Sequence, residues 1–288
     1  MFNDNSEVFS LKIAVVGTGT LGTSIAQVFS QCDEVECVYL CKGRESSRNG
    51  KEIIATSFAK LLQKGKITQA QVACCLDKIK TGSLENASIA DFLIEAVAED
   101  LEVKREIFHQ LDLICDEHII FATNTSSLPI LSIGSGLSRP LIGMHFFNPA
   151  PVMKLVEIIT TDKTPKEAVN EVVRVAEMIG KTPVEVREAP GFIVNRILIP
   201  MINEAMSIYA EGVASVEDID TAMKLGANQP MGPLALGDLI GLDVVLAILN
   251  VMLKETGDNR YLPQPMLKRM VREGKLGRKT GKGFYIYK

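Results

Sequence analysis

The chain has 288 residues, of which 47% are hydrophobic and 23% are charged, and its formal net charge is −4. These values are typical of a globular protein with a sizeable core, and the length allows one large domain or two ordinary ones. We find no basic face, no signal-peptide core and no apolar run that could span a bilayer, which excludes nucleic-acid and membrane partners and predicts a cytoplasmic protein.

The six cysteines indicate a reducing compartment rather than a metal site. Their spacings match no zinc motif, and a chain of this length does not depend on disulfide bonds for a core. We expect free thiols and no bound metal, with a redox role for the first three cysteines as the alternative. The cysteines are Cys32, Cys37, Cys41, Cys74, Cys75 and Cys115.

Predicted strands and helices alternate along the first two thirds of the chain. Apolar, β-branched runs predict strands at 11–16, 35–40, 92–97, 119–123, 141–144 and 155–159. Helical periods lie at 23–31, 51–65, 101–116, 129–134 and 165–180. This alternation predicts an α/β fold with a Rossmann-type, doubly wound sheet.

The pattern changes near residue 190, beyond which helical periods continue and no clear strand is found until 283–287. We therefore predict a Rossmann-type domain over 1–190 and an all-α domain over 191–288.

Two predicted helices of the second domain, 192–210 and 241–255, are strongly apolar. Pro200 is expected to kink or interrupt the first of them. Helices of this kind suit packing against another subunit, so we expect a homodimer or a higher homo-oligomer.

A glycine-rich turn joins the first predicted strand to the first helix, with Thr20 and Leu21 between its glycines Gly17, Gly19 and Gly22. The first glycine permits a tight turn, the second lets backbone approach a pyrophosphate, and the third lets helix and strand pack closely. The helix N-terminus adds N–H groups for the phosphates. This context predicts a dinucleotide site, with a turn that serves packing alone as the alternative.

Cations follow the second predicted strand, where an NAD site usually has an acid that binds the ribose 2′-hydroxyl. We align Lys42 with that acid, and Arg44 follows it. Cations at this position favour a 2′-phosphate, so we expect a preference for NADP(H). In the alternative, both cations are merely solvated and Glu45 binds the ribose.

A histidine in the segment 143–157 is the strongest candidate for proton chemistry. The chain has only three histidines, and His145 lies in a short segment with an amide, a carboxylate and two prolines. A neutral imidazole near pH 7 can take a proton while a hydride leaves for a nicotinamide. Together with the glycine turn, His145 indicates a dehydrogenase.

From Ile13 to its end the chain resembles the short-chain (S)-3-hydroxyacyl-CoA dehydrogenase family, and within it the bacterial group for 3-hydroxybutyryl substrates. The resemblance rests on Gly17–Gly22, Glu95–Glu99, Asn124–Leu128, His145–Pro149, Lys154–Glu157, Pro190–Arg196 and Gly277–Phe284. It implies a Rossmann-type domain followed by a helical dimerisation domain. It also implies reversible NAD(P)-dependent oxidation of a short-chain 3-hydroxyacyl-CoA to the 3-ketoacyl-CoA, in fatty-acid or butanoate metabolism.

The resemblance implies four catalytic residues. His145 would be the general base, Glu157 its carboxylate partner, and Ser126 and Asn195 polar groups around the reacting oxygen. The apolar neighbours of Glu157 support its role, because an unpaired carboxylate among them would be costly to bury. In the alternative, Ser126 and Asn195 are local caps.

Further binding residues are implied in the same way. Cofactor contacts fall on Glu99, Lys104, Ser126, Asn148 and Lys279, besides the glycine turn. Coenzyme A contacts fall on Ser57, Lys64 and Ser126. Ser57 and Lys64 are seven residues apart on one predicted helix and so share a face, but Lys64 could equally be a solvated charge at the helix end.

Two other functions remain open at this point. One keeps the fold and the histidine but changes the substrate to a small free hydroxy acid or sugar acid. The other is a non-catalytic, dinucleotide-binding redox sensor that uses the cysteines.

Overall fold

The structure, a computed structural model, describes residues 10–287 apart from the side chain of Arg44. The first nine residues of the predicted domain 1–190, and Lys288, lie outside the described residues. The chain divides into two compact units at the bond between Glu188 and Ala189, and each unit has its own hydrophobic core.

The first unit is built on one sheet. Its strands are β1 Leu11–Val16, β2 Val35–Lys42, β3 Ile79–Ser83, β4 Phe92–Glu95, β5 Ile120–Thr123, β6 Leu141–Phe146, β7 Leu155–Thr160 and β8 Thr182–Arg187. Their order is β3-β2-β1-β4-β5-β6-β7-β8, and every neighbouring pair is parallel except β6 and β7. This order is that of a Rossmann-type doubly wound sheet, so the predicted fold class is confirmed.

The central strands are predominantly apolar because both faces of the sheet are covered. All residues of β4 and β6 are buried, as are the last four of β1. The covering helices are α1 Thr20–Ser30, α2 Arg44–Gln63, α3 Gln69–Lys78, α4 Leu101–Ile114, α5 Ile130–Ile133 and α6 Lys166–Met178, and a 3₁₀ helix covers Leu84–Ile89.

Some elements of the first unit differ from the sequence prediction. The sequence pattern did not predict α3, β3 or β8, and α2 begins at Arg44 rather than at 51. The first turns of α2 are polar, so they carry no apolar period. The edge strand β8 is mostly exposed and contains Pro183, which is tolerated where a strand has a neighbour on one side only.

The second unit is helical. Its helices are α7 Val194–Ala210, α8 Val216–Gly226, α9 Pro233–Ile240, α10 Leu242–Thr256 and α11 Pro265–Arg272, with 3₁₀ turns at Asn259–Tyr261 and Arg278–Thr280. Between 189 and 287 the structure assigns no strand, and the tail forms isolated bridges at Lys282 with Gly277 and Ile286. The helices enclose a core that includes Ile202, Met206 and Leu249.

The helix α7 runs without interruption through Pro200. Of the kink or interruption predicted at Pro200, the interruption is therefore not found. A proline in a helix interior costs about 3 kcal/mol, but Ile199, Ile202 and Met206 on this helix are fully buried. Burying each such side chain contributes about 1.5–3 kcal/mol, which offsets the missing backbone hydrogen bond.

Among the described residues no single helix has the length and apolar content needed to cross a bilayer. The helices α9 and α10 have that length and apolar content only when they are counted together, and their axes differ by 94°.

Candidate functional site

The glycine turn lies between β1 and α1, and each of its glycines has a different surrounding. Gly17 has φ +127°, and a Cβ there would lie 2.3 Å from the carbonyl oxygen of Ala96. A Cβ on Gly22 would lie 2.2 Å from the carbonyl oxygen of Gly17, whereas one on Gly19 would meet nothing within 4 Å. Gly17 and Gly22 are therefore needed for backbone packing, whereas Gly19 leaves open space where a pyrophosphate can approach.

The first residues of α1 face this open space. Thr20 is exposed and Leu21 is half-buried, and the helix begins directly after Gly19. The N–H groups of a first helical turn have no partner within the helix, and they favour an anion together with the helix dipole. The turn thus fits the phosphates of a dinucleotide.

The end of β2 carries a cation where the usual acid would stand. Lys42 is the last residue of the strand and is exposed, and Glu45 in the first turn of α2 is also exposed. Thr18 Oγ1 and Ser46 Oγ lie 2.7 Å apart and link the glycine turn to α2. The side chain of Arg44, predicted to act with Lys42, lies outside the described residues.

His145 and Glu157 form a pair across the antiparallel strands β6 and β7. They are register partners, so their side chains lie on the same face of the sheet. The Nδ1 atom of His145 lies 2.8 Å from Oε2 of Glu157, and both side chains are buried. A carboxylate accepts hydrogen bonds only, so Nδ1 carries a hydrogen and Nε2 is the nitrogen that can accept a proton.

The ring of Phe147 packs against that of His145, with the centroids 4.5 Å apart and the planes tilted by 51°. On β7, Val156 and Ile158 flank Glu157 and are fully buried. The burial of both side chains of the pair limits solvent screening, so the charge of Glu157 acts strongly on the imidazole.

Ser126 lies in a turn after β5 that is organised by one carboxylate. The Oε1 atom of Glu99 accepts hydrogen bonds from Thr125 Oγ1 at 2.7 Å, from the N–H and Oγ of Ser126 at 2.8 and 3.0 Å, and from the N–H of Ser127 at 3.1 Å. Burial raises the pKa of Glu99, but the charge of Lys104 and these hydrogen bonds outweigh it and hold the pKa below its usual value. Glu99 is therefore a fixed anion beneath the turn.

The sequence prediction missed a second carboxylate in this region. Glu95, at the end of β4, is fully buried and contacts the fully buried ammonium of Lys104 at 2.8 Å. Lys104 also lies 3.5 Å from Glu99. Lys104 was predicted to contact the cofactor directly, yet in this structure its Nζ is enclosed by these carboxylates. The match of Lys104 to the family motif does not show its ion pair with Glu95. That pair is evident only in the structure, where β4 and α4 lie close together.

Asn124 connects the Ser126 turn to the strand of His145. Its Oδ1 accepts a hydrogen bond from the backbone N–H of Phe146 at 2.8 Å, and Asn124 itself is buried. The structure thus brings Ser126, Glu99, Lys104 and the His145 strand into one set of contacts at the carboxyl ends of β4, β5 and β6. That end of an open α/β sheet is where ligands bind.

Two of the predicted coenzyme A residues, Ser57 and Lys64, belong to α2 and its C-terminal end. Ser57 is half-buried on α2, and Lys64 is exposed and directly follows the last residue of that helix. Lys64 could hold a phosphate or merely favour the helix dipole. Asn148, predicted to contact the cofactor, is exposed just beyond β6.

Two predicted site residues belong to the second unit. Asn195 is buried near the start of α7. Lys279 lies in the 3₁₀ turn near the chain end, and its Nζ lies 2.6 Å from Oδ2 of Asp243 on α10.

The six cysteines are free thiols, and Cys74 is exposed whereas the others are buried. Burial raises the pKa of Cys32 and Cys115 to about 11 and that of Cys41 to about 12. Among the described residues no group of three or more His, Cys, Asp or Glu side chains is arranged to hold a metal ion. Cys32, Cys41 and Cys115 therefore lack the exposure and the lowered pKa that are typical of a redox-sensing thiol.

Comparison with known proteins bears on the whole chain. Residues 12–189 match the family model "3-hydroxyacyl-CoA dehydrogenase, NAD binding domain", and residues 191–287 match "3-hydroxyacyl-CoA dehydrogenase, C-terminal domain". The chain is 51% identical to 3-hydroxybutyryl-CoA dehydrogenase of Clostridioides difficile, over 96% of this chain and 99% of that protein. It is 41% identical to human mitochondrial hydroxyacyl-coenzyme A dehydrogenase, over 96% of this chain and 91% of that protein.

A solved structure agrees with this comparison. The (S)-3-hydroxybutyryl-CoA dehydrogenase of Ralstonia eutropha is similar to this chain with a TM-score of 0.91 and 42% identity, covering 97% of this chain and 100% of that one.

The fold and the matched domains define an oxidoreductase that uses a nicotinamide dinucleotide. The chain belongs to the 3-hydroxyacyl-CoA dehydrogenase family, which confirms the resemblance stated from its motifs.

Proposed function

We propose that the protein catalyses the reversible NAD(P)-dependent oxidation of (S)-3-hydroxybutyryl-CoA to acetoacetyl-CoA. The observation that carries the proposal is the buried contact of 2.8 Å between His145 and Glu157. The names of the relatives from Clostridioides difficile and Ralstonia eutropha support the four-carbon substrate.

In the oxidation, His145 takes the proton of the 3-hydroxyl group on Nε2 while the C3 hydride leaves. A bound nicotinamide ring supplies the hydride acceptor. Glu157 holds the imidazole in the required tautomer and stabilises the imidazolium that forms, as a triad carboxylate does. In the reduction, the imidazolium returns the proton to the carbonyl oxygen. General acid–base catalysis of this kind contributes about 10²- to 10⁴-fold to the rate.

Ser126 and Asn195 are proposed to donate hydrogen bonds to the substrate's reacting oxygen. The hydroxyl of Ser126 and the amide of Asn195 can each donate one such bond, and losing one donor of this kind typically costs about 3–4 kcal/mol of transition-state stabilisation.

Binding roles are proposed for the remaining residues of the family motifs. Glu99, Asn148 and Lys279 would contact or border the cofactor, and Ser57 and Lys64 would contact coenzyme A. The second unit is proposed to serve dimerisation and substrate binding. Exposed apolar side chains on it support a subunit contact, among them Ile197, Val213, Leu225 and Ile286. We place the protein in the cytoplasm, in fatty-acid or butanoate metabolism.

We also propose that NADPH is preferred over NADH. The exposed Lys42 at the end of β2 supports a 2′-phosphate at this position. Glu45, in the first turn of α2, is also exposed. In the competing interpretation its carboxylate binds the ribose 2′-hydroxyl. A clear preference for NADH in kcat/KM would refute this part of the proposal and leave the reaction itself intact.

The reaction is tested with the purified protein and acetoacetyl-CoA, NADPH and NADH being supplied in parallel. We expect consumption of the reduced cofactor and formation of (S)-3-hydroxybutyryl-CoA, identified by chiral analysis of the released acid. Turnover of small hydroxy acids or sugar acids without turnover of acetoacetyl-CoA would overturn the substrate assignment.

A further inference from the structure

Beneath the Ser126 turn lies a buried carboxylate that the proposed reaction does not use. Glu95 is fully buried and accepts hydrogen bonds from the N–H of Val97 at 2.6 Å, from Thr123 Oγ1 at 2.6 Å and from Lys104 Nζ at 2.8 and 3.0 Å. A buried carboxylate is tolerated only when it is paired and hydrogen-bonded in this way. Its position at the end of β4 is thus fixed from three directions.

Lys104 links the fixed carboxylate of Glu95 to that of Glu99. Its ammonium has three donors, and it faces both oxygens of Glu95 and, at 3.5 Å, Oε2 of Glu99. The side chains of Lys104 and Glu95 are fully buried, so solvent screens this pair weakly, whereas Glu99 is partly exposed and its attraction to Lys104 is screened more. The lysine therefore sets where the Glu99 carboxylate can lie.

Glu99 in turn determines the conformation of the turn after β5. A single oxygen of its carboxylate accepts bonds from three hydroxyls and two backbone N–H groups of Thr125, Ser126 and Ser127. Charged hydrogen bonds of this type are about twice as strong as neutral ones. The turn keeps this shape only while the Glu99 carboxylate stays in place and charged.

We propose that Glu95 is a positioning residue for the reaction: through Lys104 and Glu99 it fixes the Ser126 hydroxyl at the reacting oxygen. The inference rests on the proposed function for the role of Ser126. It also gives Lys104 a role as the bridge between two carboxylates in place of a direct cofactor contact. A misplacement of about 1 Å at a reacting centre can lower a rate about 10²-fold.

The variant Glu95→Gln tests this chain of contacts because it keeps the shape of the side chain and removes its charge. We expect kcat for acetoacetyl-CoA reduction to fall at least about tenfold. In a Ser126→Ala background the same substitution should cause little further loss, because residues that act through one another give non-additive effects. The control is Glu102→Gln, an exposed Glu on the first turn of α4 that pairs with Arg105 at 3.5 Å, and it should leave kcat unchanged.

A merely structural role for Glu95 makes a different prediction, since Glu95→Gln would then lower kcat by the same factor with or without the Ser126 hydroxyl. That result, or an unchanged kcat in Glu95→Gln, would overturn the proposal. Should Glu95→Gln fail to fold, Thr123→Val removes a single donor to Glu95 and should give a smaller loss with the same dependence on Ser126.

A crystal structure of Glu95→Gln tests the positioning without any assay. We expect the bond between Glu99 Oε1 and Ser126 Oγ, 3.0 Å here, to be broken. An unchanged turn would refute the inference even if acetoacetyl-CoA is the substrate. Failure of the unaltered protein to reduce acetoacetyl-CoA would instead refute the proposed function. The crystal structure of Glu95→Gln would still test whether Glu95 positions the Ser126 turn.

Discussion

His145 and Glu157 are register partners on β6 and β7, the one antiparallel pair of the sheet, and Nδ1 lies 2.8 Å from Oε2. Side chains alternate between the faces of a strand, so a slip of one residue would put the two groups on opposite faces. Gly143 supports this register, since a Cβ there would lie 2.6 Å from the Cβ of Ile159. The pair is therefore set by the packing of the sheet rather than by a mobile loop.

The charge of Glu157 should be essential to turnover. In Glu157→Gln we expect kcat to fall about 10²- to 10⁴-fold, because the amide neither stabilises the imidazolium nor enforces its tautomer. Steady-state kinetics with acetoacetyl-CoA measure the effect, and circular dichroism verifies the fold. The matched control Glu185→Gln, on the exposed face of β8, should retain normal kcat. Near-normal turnover of Glu157→Gln would remove this residue from the mechanism.

Lys42 should determine which dinucleotide is preferred. Reversing its charge in Lys42→Glu should raise the ratio of kcat/KM for NADH over NADPH at least about tenfold, since a hydrogen bond to a charged group contributes about 1.5–3 kcal/mol. Lys163→Glu is a suitable control, because this exposed lysine follows β7 at the opposite end of the sheet from the glycine turn. An unchanged ratio in Lys42→Glu would indicate that Glu45 or another group contacts the ribose 2′-position and sets the cofactor preference.

Thiol labelling should find a single reactive cysteine in the native protein. The thiolate is the reactive form, and burial raises the pKa of Cys32, Cys41 and Cys115 far above 8. Their thiolate fraction, and hence their reactivity, stays low at pH 8 and rises only as the pH approaches these values. A chromogenic disulfide should therefore label Cys74 rapidly, and all six cysteines only after unfolding.

The control for the labelling is Cys74→Ser, which should leave no rapid phase. Rapid labelling of several native thiols would contradict the burial seen here and revive the redox-sensor interpretation.

The C-terminal tail should be needed for the stability of the second unit. Asp238 is buried, and its carboxylate accepts bonds from the N–H groups of Phe284 and Tyr285 at 3.0 and 2.9 Å and from the Tyr287 hydroxyl at 3.0 Å. A Cβ on Gly283 would lie 1.9 Å from this carboxylate.

Because that Cβ would displace the tail, Gly283→Ala should lower the free energy of unfolding by about 1–3 kcal/mol, the cost of leaving a buried polar group without its partners. Gly226→Ala is the matched control, because a Cβ at this helical glycine meets nothing within 4 Å and alanine favours helix. Denaturant unfolding of both variants gives the measurement. Equal stability of Gly283→Ala and the unaltered protein would show that the tail does not pack as described.

The local chemistry of β1, the glycine turn and His145 could be predicted from sequence because each depends on neighbouring residues. Apolar runs mark the buried strands, and the spacing of Gly17, Gly19 and Gly22 reflects the steric needs of one turn. The helical second unit was also predictable, since its apolar periods are long. Family membership followed from motifs spread along the whole chain.

Contacts between distant segments could not be predicted in this way. The ion pair of Glu95 with Lys104 and the anchoring of the tail by Asp238 join residues from separate elements, and neither is visible in a local pattern. The continuity of α7 through Pro200 depends likewise on tertiary burial, which outweighs local propensity. The edge strand β8 lacks an apolar run because most of it is exposed.

The most direct test of the account is the rate of acetoacetyl-CoA reduction by His145→Gln, followed by the loss of reduced nicotinamide absorbance, beside His118→Gln as the exposed-histidine control. The account predicts a loss in kcat of about 10²-fold or more for His145→Gln, with cofactor binding retained, and normal kcat for His118→Gln. Equal turnover by the two variants would contradict the claim that His145 moves the proton.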